Sequence, residues 1–254
     1  MPGSNKAPTR IADVDPKVLR DLHAGRREAR SLAEWLALDY RKMIRLLIDS
    51  PTRAELALLD PSIGVSKRMQ NAARIALDRL GPGCLPTLQA HHSDTLRGWG
   101  AYVVGLLPDL TLAERLDAIR PLADDANSGV REWAWMGVRS HIAADVPGAI
   151  QLLTRWTAEP SANLRRFAIE ATRPRGVWAT HIDLLKQQPS LGRPLLDPLM
   201  SDPHKYVQDS VSNWLNDAAK TSPDWVRQFC AAWTRRSPSA ATARICKRAQ
   251  RSLS

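Results

Sequence analysis

With 254 residues, 44% of them apolar, and only 13 glycines, the chain has material for a large core and too few turn formers for a sheet-rich fold, which favours an all-α architecture. Lysine and arginine outnumber aspartate and glutamate by 36 to 26, and the net charge of +10 points to an anionic polymer or surface as partner. No run approaches the roughly 18 apolar residues of a membrane span, the first six residues lack the apolar core of a secretory signal, and Cys84, Cys230 and Cys246 show no CxxC pairing; a cytoplasmic protein without a disulfide framework or zinc knuckle is expected.

Residues 1–12 read as a disordered N-terminus and 13–254 as one domain. Residues 32–49 and 67–80 carry helical apolar spacing. Beyond them one local pattern recurs, a polar turn followed by an apolar anchor and usually an arginine: Ser93-Asp-Thr-Leu96-Arg97, Asn127-Ser-Gly-Val130-Arg131, Ser161-Ala-Asn-Leu164-Arg165 and Pro203-His-Lys205-Tyr-Val207-Gln208. The anchors lie 34, 34 and 43 residues apart. Amphipathic runs at 111–123, 147–158 and 181–200 fall between them, the last interrupted by Pro189 and Pro194. Each period is therefore expected to be an antiparallel helix pair, and the pairs to stack as an α-solenoid whose second helices line a concave basic groove. Residues 161–254 hold 15 lysines and arginines against 7 acids, so the basic surface should be mostly C-terminal.

Glu132, Glu170 and Asp217 lie two, six and ten residues after their anchors. Steps of four advance a helix by about 400°, which puts the three on one slowly drifting stripe shared by neighbouring helices. Two readings stay open: ordinary acids paired with nearby arginines, or groups acting on a bound substrate, since carboxylates repel a polyanion. Arg97, Arg131 and Arg165 form a ladder that suits intramolecular pairing for the first two. Arg165, Arg166, Arg173 and Arg175 are a denser cluster, for which phosphate contact is equally open. Pro174 should end the helix begun near Leu164 and leave Arg173, Arg175 and Trp178 on an exposed connection. Trp178 either packs between repeats or faces a base or cation, whereas Trp133, Trp135, Trp156, Trp214, Trp225 and Trp233 are expected to pack. Arg244, Lys247, Arg248 and Arg251 have the spacing of a basic helix face, and Lys205 joins the first three as a candidate phosphate contact. His91 and His92 with Cys84 lack metal-site spacing, and no GxGxxG, GxxxxGK[ST] or GxSxG is present, so no cofactor is expected.

Glu170-Ala-Thr-Arg-Pro-Arg-Gly-Val-Trp178 resembles the S-E-G-T-R-P-R-x-x-W signature of the HEAT-like repeat alkylpurine DNA glycosylases, closest to their AlkC branch. Ser210-Val-Ser-Asn-Trp-Leu-Asn-Asp217-Ala-Ala-Lys220 resembles the S-V-A-N-x-L-N-D-x-x-K segment, and residues 22–39 resemble the L-N-x-G-x-x-x-S-x-x-L-x-E-W-L-A-x-D opening. The resemblance implies excision of cationic bases such as 3-methyladenine and 3-methylcytosine from double-stranded DNA by a monomer, with Glu170, Trp178 and Asp217 contacting the lesion nucleotide. Glu132 is the looser fourth, because Glu-Trp-Ala-Trp only resembles E-F-A-I. The chain departs from the pattern at Ala171, where glycine is usual, at Trp214, where a small polar residue or histidine is usual, and in leaving no room for the immunoglobulin-like domain of many AlkC members. The other readings are a HEAT-repeat protein that binds damaged or branched DNA without catalysis, and a protein-interaction scaffold.

Overall fold

The helices begin where short polar side chains can satisfy first-turn amides. Thr52 and Thr111 each form a reciprocal capping box, with Glu55 and Glu114, and Ser31, Ser161 and Ser239 each accept one backbone N–H. In the computed structural model, which describes residues 7–176 and 179–253, every regular element is helical and no strand occurs among the described residues. No described helix is long and apolar enough to cross a membrane. The N-terminal stretch includes a turn of 3-10 helix at Ile11–Asp13, so residues 7–12 carry describable structure where disorder was expected.

Contacts divide the chain into two compact units, a division that no composition break announces. The first comprises Met1–Asp109 and Asn127–Ala134. It contains α1 (Pro16–His23), α2 (Leu32–Leu36), α3 (Tyr40–Met43), α4 (Arg53–Ala57), α5 (Val65–Leu80), α6 (Cys84–Gln89) and α7 (Asp94–Leu106). The expected run at 32–49 is thus two short helices and a 3-10 turn, Ile44–Leu46, rather than one helix. Helices α5 and α7 form the core, with Met69, Ala72, Ala73 and Ala76 buried on one and Leu96, Trp99 and Val103 on the other. Asp94, at the start of α7, accepts from Trp35 Nε1 at 2.5 Å and from the amide of Ala29 at 3.3 Å, which docks the Glu-Trp-Leu-Ala opening segment. A Cβ at Gly129 would overlap the Trp35 ring, so glycine is required there.

The second unit comprises Leu110–Ala126 and Trp135–Ser254. It contains α8 (Leu112–Ala123), α9 (Ser128–Ala144) from Trp135 onward, α10 (Val146–Thr154), α11 (Ala162–Glu170), α12 (Asp183–Gln187), α13 (Arg193–Leu196), α14 (Lys205–Ala219), α15 (Pro223–Arg236) and α16 (Ala240–Ala249). Pro189 and Pro194 break the 181–200 run into α12, α13 and two 3-10 turns, as their missing N–H groups require. The extra length of that broken partner accounts for the 43-residue step between Leu164 and Val207. The second helices α11, α14 and α16 pack side by side, α14 between the other two. All four anchors are buried, as are the three cysteines, which are free thiols.

After three of the four anchors, Leu96, Leu164 and Val207, the next residue holds the loop before it. Arg97 donates to the carbonyls of His91 and His92, both at 2.9 Å, and Arg165 to those of Glu159 and Pro160, at 2.7 and 2.8 Å. Gln208 donates to the carbonyl of Asp202 at 2.8 Å. These bonds reach back five or six residues, so Arg97 and Arg165 are loop fasteners, completed by carboxylates: Glu28 on Arg97, and Asp202 on Arg165 at 2.7 Å.

Candidate functional site

In the second unit, helix spacing builds one polar seam in an otherwise apolar contact. On α14 the residues Tyr206, Ser210, Asn213, Asp217 and Lys220 follow steps of four and three and share a face. On α11, Arg166 and Glu170 are one turn apart, and the chain leaves the helix at Ala171, three residues short of Pro174. Arg173 then turns its side chain back over both helices.

Its guanidinium bridges the two acids: Nε donates to Asp217 Oδ2 at 2.8 Å, and a terminal nitrogen donates to Glu170 Oε2 at 3.2 Å. Glu170 is 3% and Asp217 4% exposed, so the bridge is shielded from water. Ser210 donates its hydroxyl to Glu170 Oε1 at 2.7 Å, and Arg166 approaches the same oxygen at 3.7 Å while lying over the Tyr206 ring, 4.4 Å from its centroid. Arg175 Nε donates to the main-chain carbonyl of Asp217 at 3.3 Å, and Lys220 Nζ stands 3.7 Å from Asp217 Oδ1. Burial is the largest single influence on Arg173 and opposes its charge, yet Glu170 and Asp217 outweigh it and raise its pKa above the ordinary arginine value. The arrangement is a cation held between two preorganised carboxylates.

The structure sorts the sequence candidates unevenly. Glu170 and Asp217 come together through Arg173, so of the two readings left open for that arginine the structure shows the pairing with acids. Glu132 lies on α9 within the first unit and is half-buried. Trp178 falls outside the described residues. Arg165 is spent inside the fold, 9% exposed with Asp202 on its Nε, and is no surface phosphate contact. Its repeat position was the available signal, because Arg97 does the same work in its own copy. Lys205 and Lys247 are exposed. Arg244 donates to Asp209 at 2.7 Å and Arg248 lies 3.2 Å from the same carboxylate, both half-buried on the α14–α16 face. Ser210 stood in a quoted motif, but only the packing of α11 on α14 reveals it as a partner of Glu170. Trp133, Trp135, Trp156, Trp214 and Trp233 are buried, and Trp214, fully enclosed, donates Nε1 to the carbonyl of Thr172 at 3.0 Å. At the departure from the resembled pattern, the indole therefore braces the turn that carries Arg173.

An uncharacterised protein of Bacillus subtilis (strain 168), YhaZ, is 35% identical over 132 residues, 50% of this chain. The fold is similar to that of Pseudomonas fluorescens alkylpurine DNA glycosylase AlkC bound to DNA containing an abasic site analog, with a TM-score of 0.68, 20% identity and 97% of this chain covered. It is also similar to AlkD2 from Streptococcus mutans, with a TM-score of 0.56, 21% identity, and 87% of this chain and 98% of that one covered. The matched part spans 36% of the length of YhaZ and 65% of the AlkC chain. A family model for DNA alkylation repair enzymes matches residues 111–248, more than half of the sequence, and the chain belongs to that family.

Proposed function

We propose that this protein is a DNA glycosylase that hydrolyses the N-glycosidic bond of cationic alkylated bases in double-stranded DNA, 3-methyladenine and with it 3-methylcytosine. The observation that carries this reading is the buried Glu170–Arg173–Asp217 bridge on adjacent helices of a basic unit. An N3-alkylated base is already positive, so when the C1′–N bond breaks, its electron pair leaves with a neutral base and no strong acid is needed. The deoxyribose is left as an oxocarbenium ion, to which water adds at C1′ with loss of a proton to a carboxylate. Two fixed anions built around a guanidinium suit that developing charge, and they need no reorganisation as it forms. Trp178 is assigned to the cationic base through cation–π attraction. Arg175, Lys205, Arg244, Lys247 and Arg248 are assigned to phosphates; Arg165 and Arg166, 9% and 8% exposed and engaged inside the fold, are not.

A second reading, damaged- or branched-DNA binding without catalysis, is favoured by one observation: both carboxylates already have partners in the protein. Incubation with a methylated duplex and chromatography of the free bases, alongside a salt titration of binding, separates the two. A glycosylase releases 3-methyladenine, whereas the second reading requires salt-sensitive binding and no free base. Lys205→Ala and Lys247→Ala should each reduce the salt slope by about 1 if those lysines neutralise a phosphate. An unchanged slope removes them from the interface.

A further inference from the structure

We propose that Arg139 is a positioning residue that holds the segment after α11 in the one placement from which Arg173 can bridge Glu170 and Asp217; the functional side of this inference rests on the glycosylase reading above. Arg139, on α9, is 3% exposed. Its guanidinium donates to three main-chain carbonyls, of Ala171 at 3.0 Å, Arg173 at 2.7 Å and Thr180 at 2.8 Å. One side chain thereby ties the segment at both ends. Independently, the segment lies directly on the guanidinium: a Cβ at Gly176 would stand 3.0 Å from Arg139 Nε and 3.1 Å from Cζ. The amide of Ile182 closes the same segment on the carbonyl of Pro174 at 3.0 Å.

The chemistry of the position explains why an arginine stands there. Carbonyls at and just beyond a helix C-terminus lack intrahelical partners and form the negative end of the helix dipole, so a multidentate cation satisfies both needs. Burial is the main cost to that cation. Together with the neighbouring Arg173, and against Glu170 and Asp217, it pushes the Arg139 pKa down to about 10, which still leaves it charged at neutral pH. A buried guanidinium bonded only to backbone is a costly way to fill space, and a sound way to fix a backbone path. Arg173 is the residue that path serves, since its carbonyl is held by Arg139 while its side chain spans the acids.

Two variants test this. Arg139→Lys keeps the charge but offers one nitrogen for three carbonyls, and Gly176→Ala crowds the guanidinium from the other side. Amide hydrogen exchange of residues 171–176 and 179–182 should accelerate about tenfold in Arg139→Lys, with exchange elsewhere unchanged. Single-turnover base release at saturating protein should fall about tenfold, while the Kd for methylated duplex stays within about twofold, because mispositioning affects the chemical step more than backbone binding. Gly176→Ala should move both readouts in the same direction and decides the matter if Arg139→Lys does not fold. Wild-type exchange of the segment in a folded variant overturns the proposal, as does a loosened segment with an unchanged release rate. If the wild-type protein releases no base, the glycosylase reading fails, and the exchange result alone upholds or overturns the clamp.

Discussion

Replacing Glu170 by glutamine preserves volume and removes one of the two anions around Arg173. The side chain is 3% exposed, so water cannot compensate. Ser210 keeps an oxygen to donate to; the losses are the charged contact with Arg173 at 3.2 Å and the weaker approach of Arg166 at 3.7 Å. Removing one partner of a buried ion pair costs about 3–5 kcal/mol when the other is left alone. Arg173 retains Asp217 at 2.8 Å, so the loss should be nearer that of one charged hydrogen bond, about 2 kcal/mol. For a chain of this size that corresponds to a Tm lower by about 4–8 °C, which leaves the protein folded in a cool assay. If Glu170 faces charge that develops in the transition state, single-turnover release of 3-methyladenine should fall about a hundredfold, far beyond what the stability change produces. The measurement is release from methylated duplex with protein in excess, paired with a thermal melt. A folded Glu170→Gln protein that releases base within about threefold of wild type would refute the assignment and leave Glu170 as an internal ion-pair partner.

Asp202→Asn strips the buried anion from Arg165 and should cost about 3 kcal/mol in urea unfolding, without altering the salt dependence of DNA binding. A changed salt slope with unchanged stability would return Arg165 to the DNA. Acid should destabilise the protein from below the ordinary histidine value of 6.5, because His23 and His91 both have lowered pKa values, each chiefly through burial, with Lys42 assisting at His23 against Asp39, and His92 and Arg97 assisting at His91. Each neutral ring accepts a backbone N–H, from Asp39 at 3.0 Å and Ser93 at 2.9 Å. In that window the unfolded chain binds more protons than the folded one, so stability is fully present above pH 6.5 and declines as pH falls. The urea midpoint of a His23→Gln, His91→Gln protein should drop less between neutral and mildly acidic pH than that of wild type; an equal drop would refute the assignment.

Several features were legible locally because their causes are local. Pro174 barred α11 from running on past the turn at Ala171, Pro189 and Pro194 had to break the run after it, and the recurring turn, anchor and arginine had to mark second helices. Helical periodicity sets which residues share a face, and of the three acids placed on one stripe the structure brings Glu170 and Asp217 together on Arg173. Spacing offered nearby arginines as partners without choosing which arginine each acid takes. Arg165 and Arg166 are adjacent in sequence and differ by one step around the helix. One is turned onto Asp202 and the loop before it, and the other onto Tyr206 beside Glu170.

By itself, the sequence determined the helical class, the repeat, the C-terminal concentration of positive charge and the pair of acids, because periodicity, proline chemistry and composition act within a few residues of their source. Tertiary structure alone decided that Arg173 lies between those acids, that Ser210 reaches Glu170 across 40 residues, and that Arg139 ties down the segment between α11 and α12. The physical reason is desolvation. A buried charge is tolerable only when its partners converge on it, and the packing of α9, α11 and α14, not spacing along the chain, brings them there.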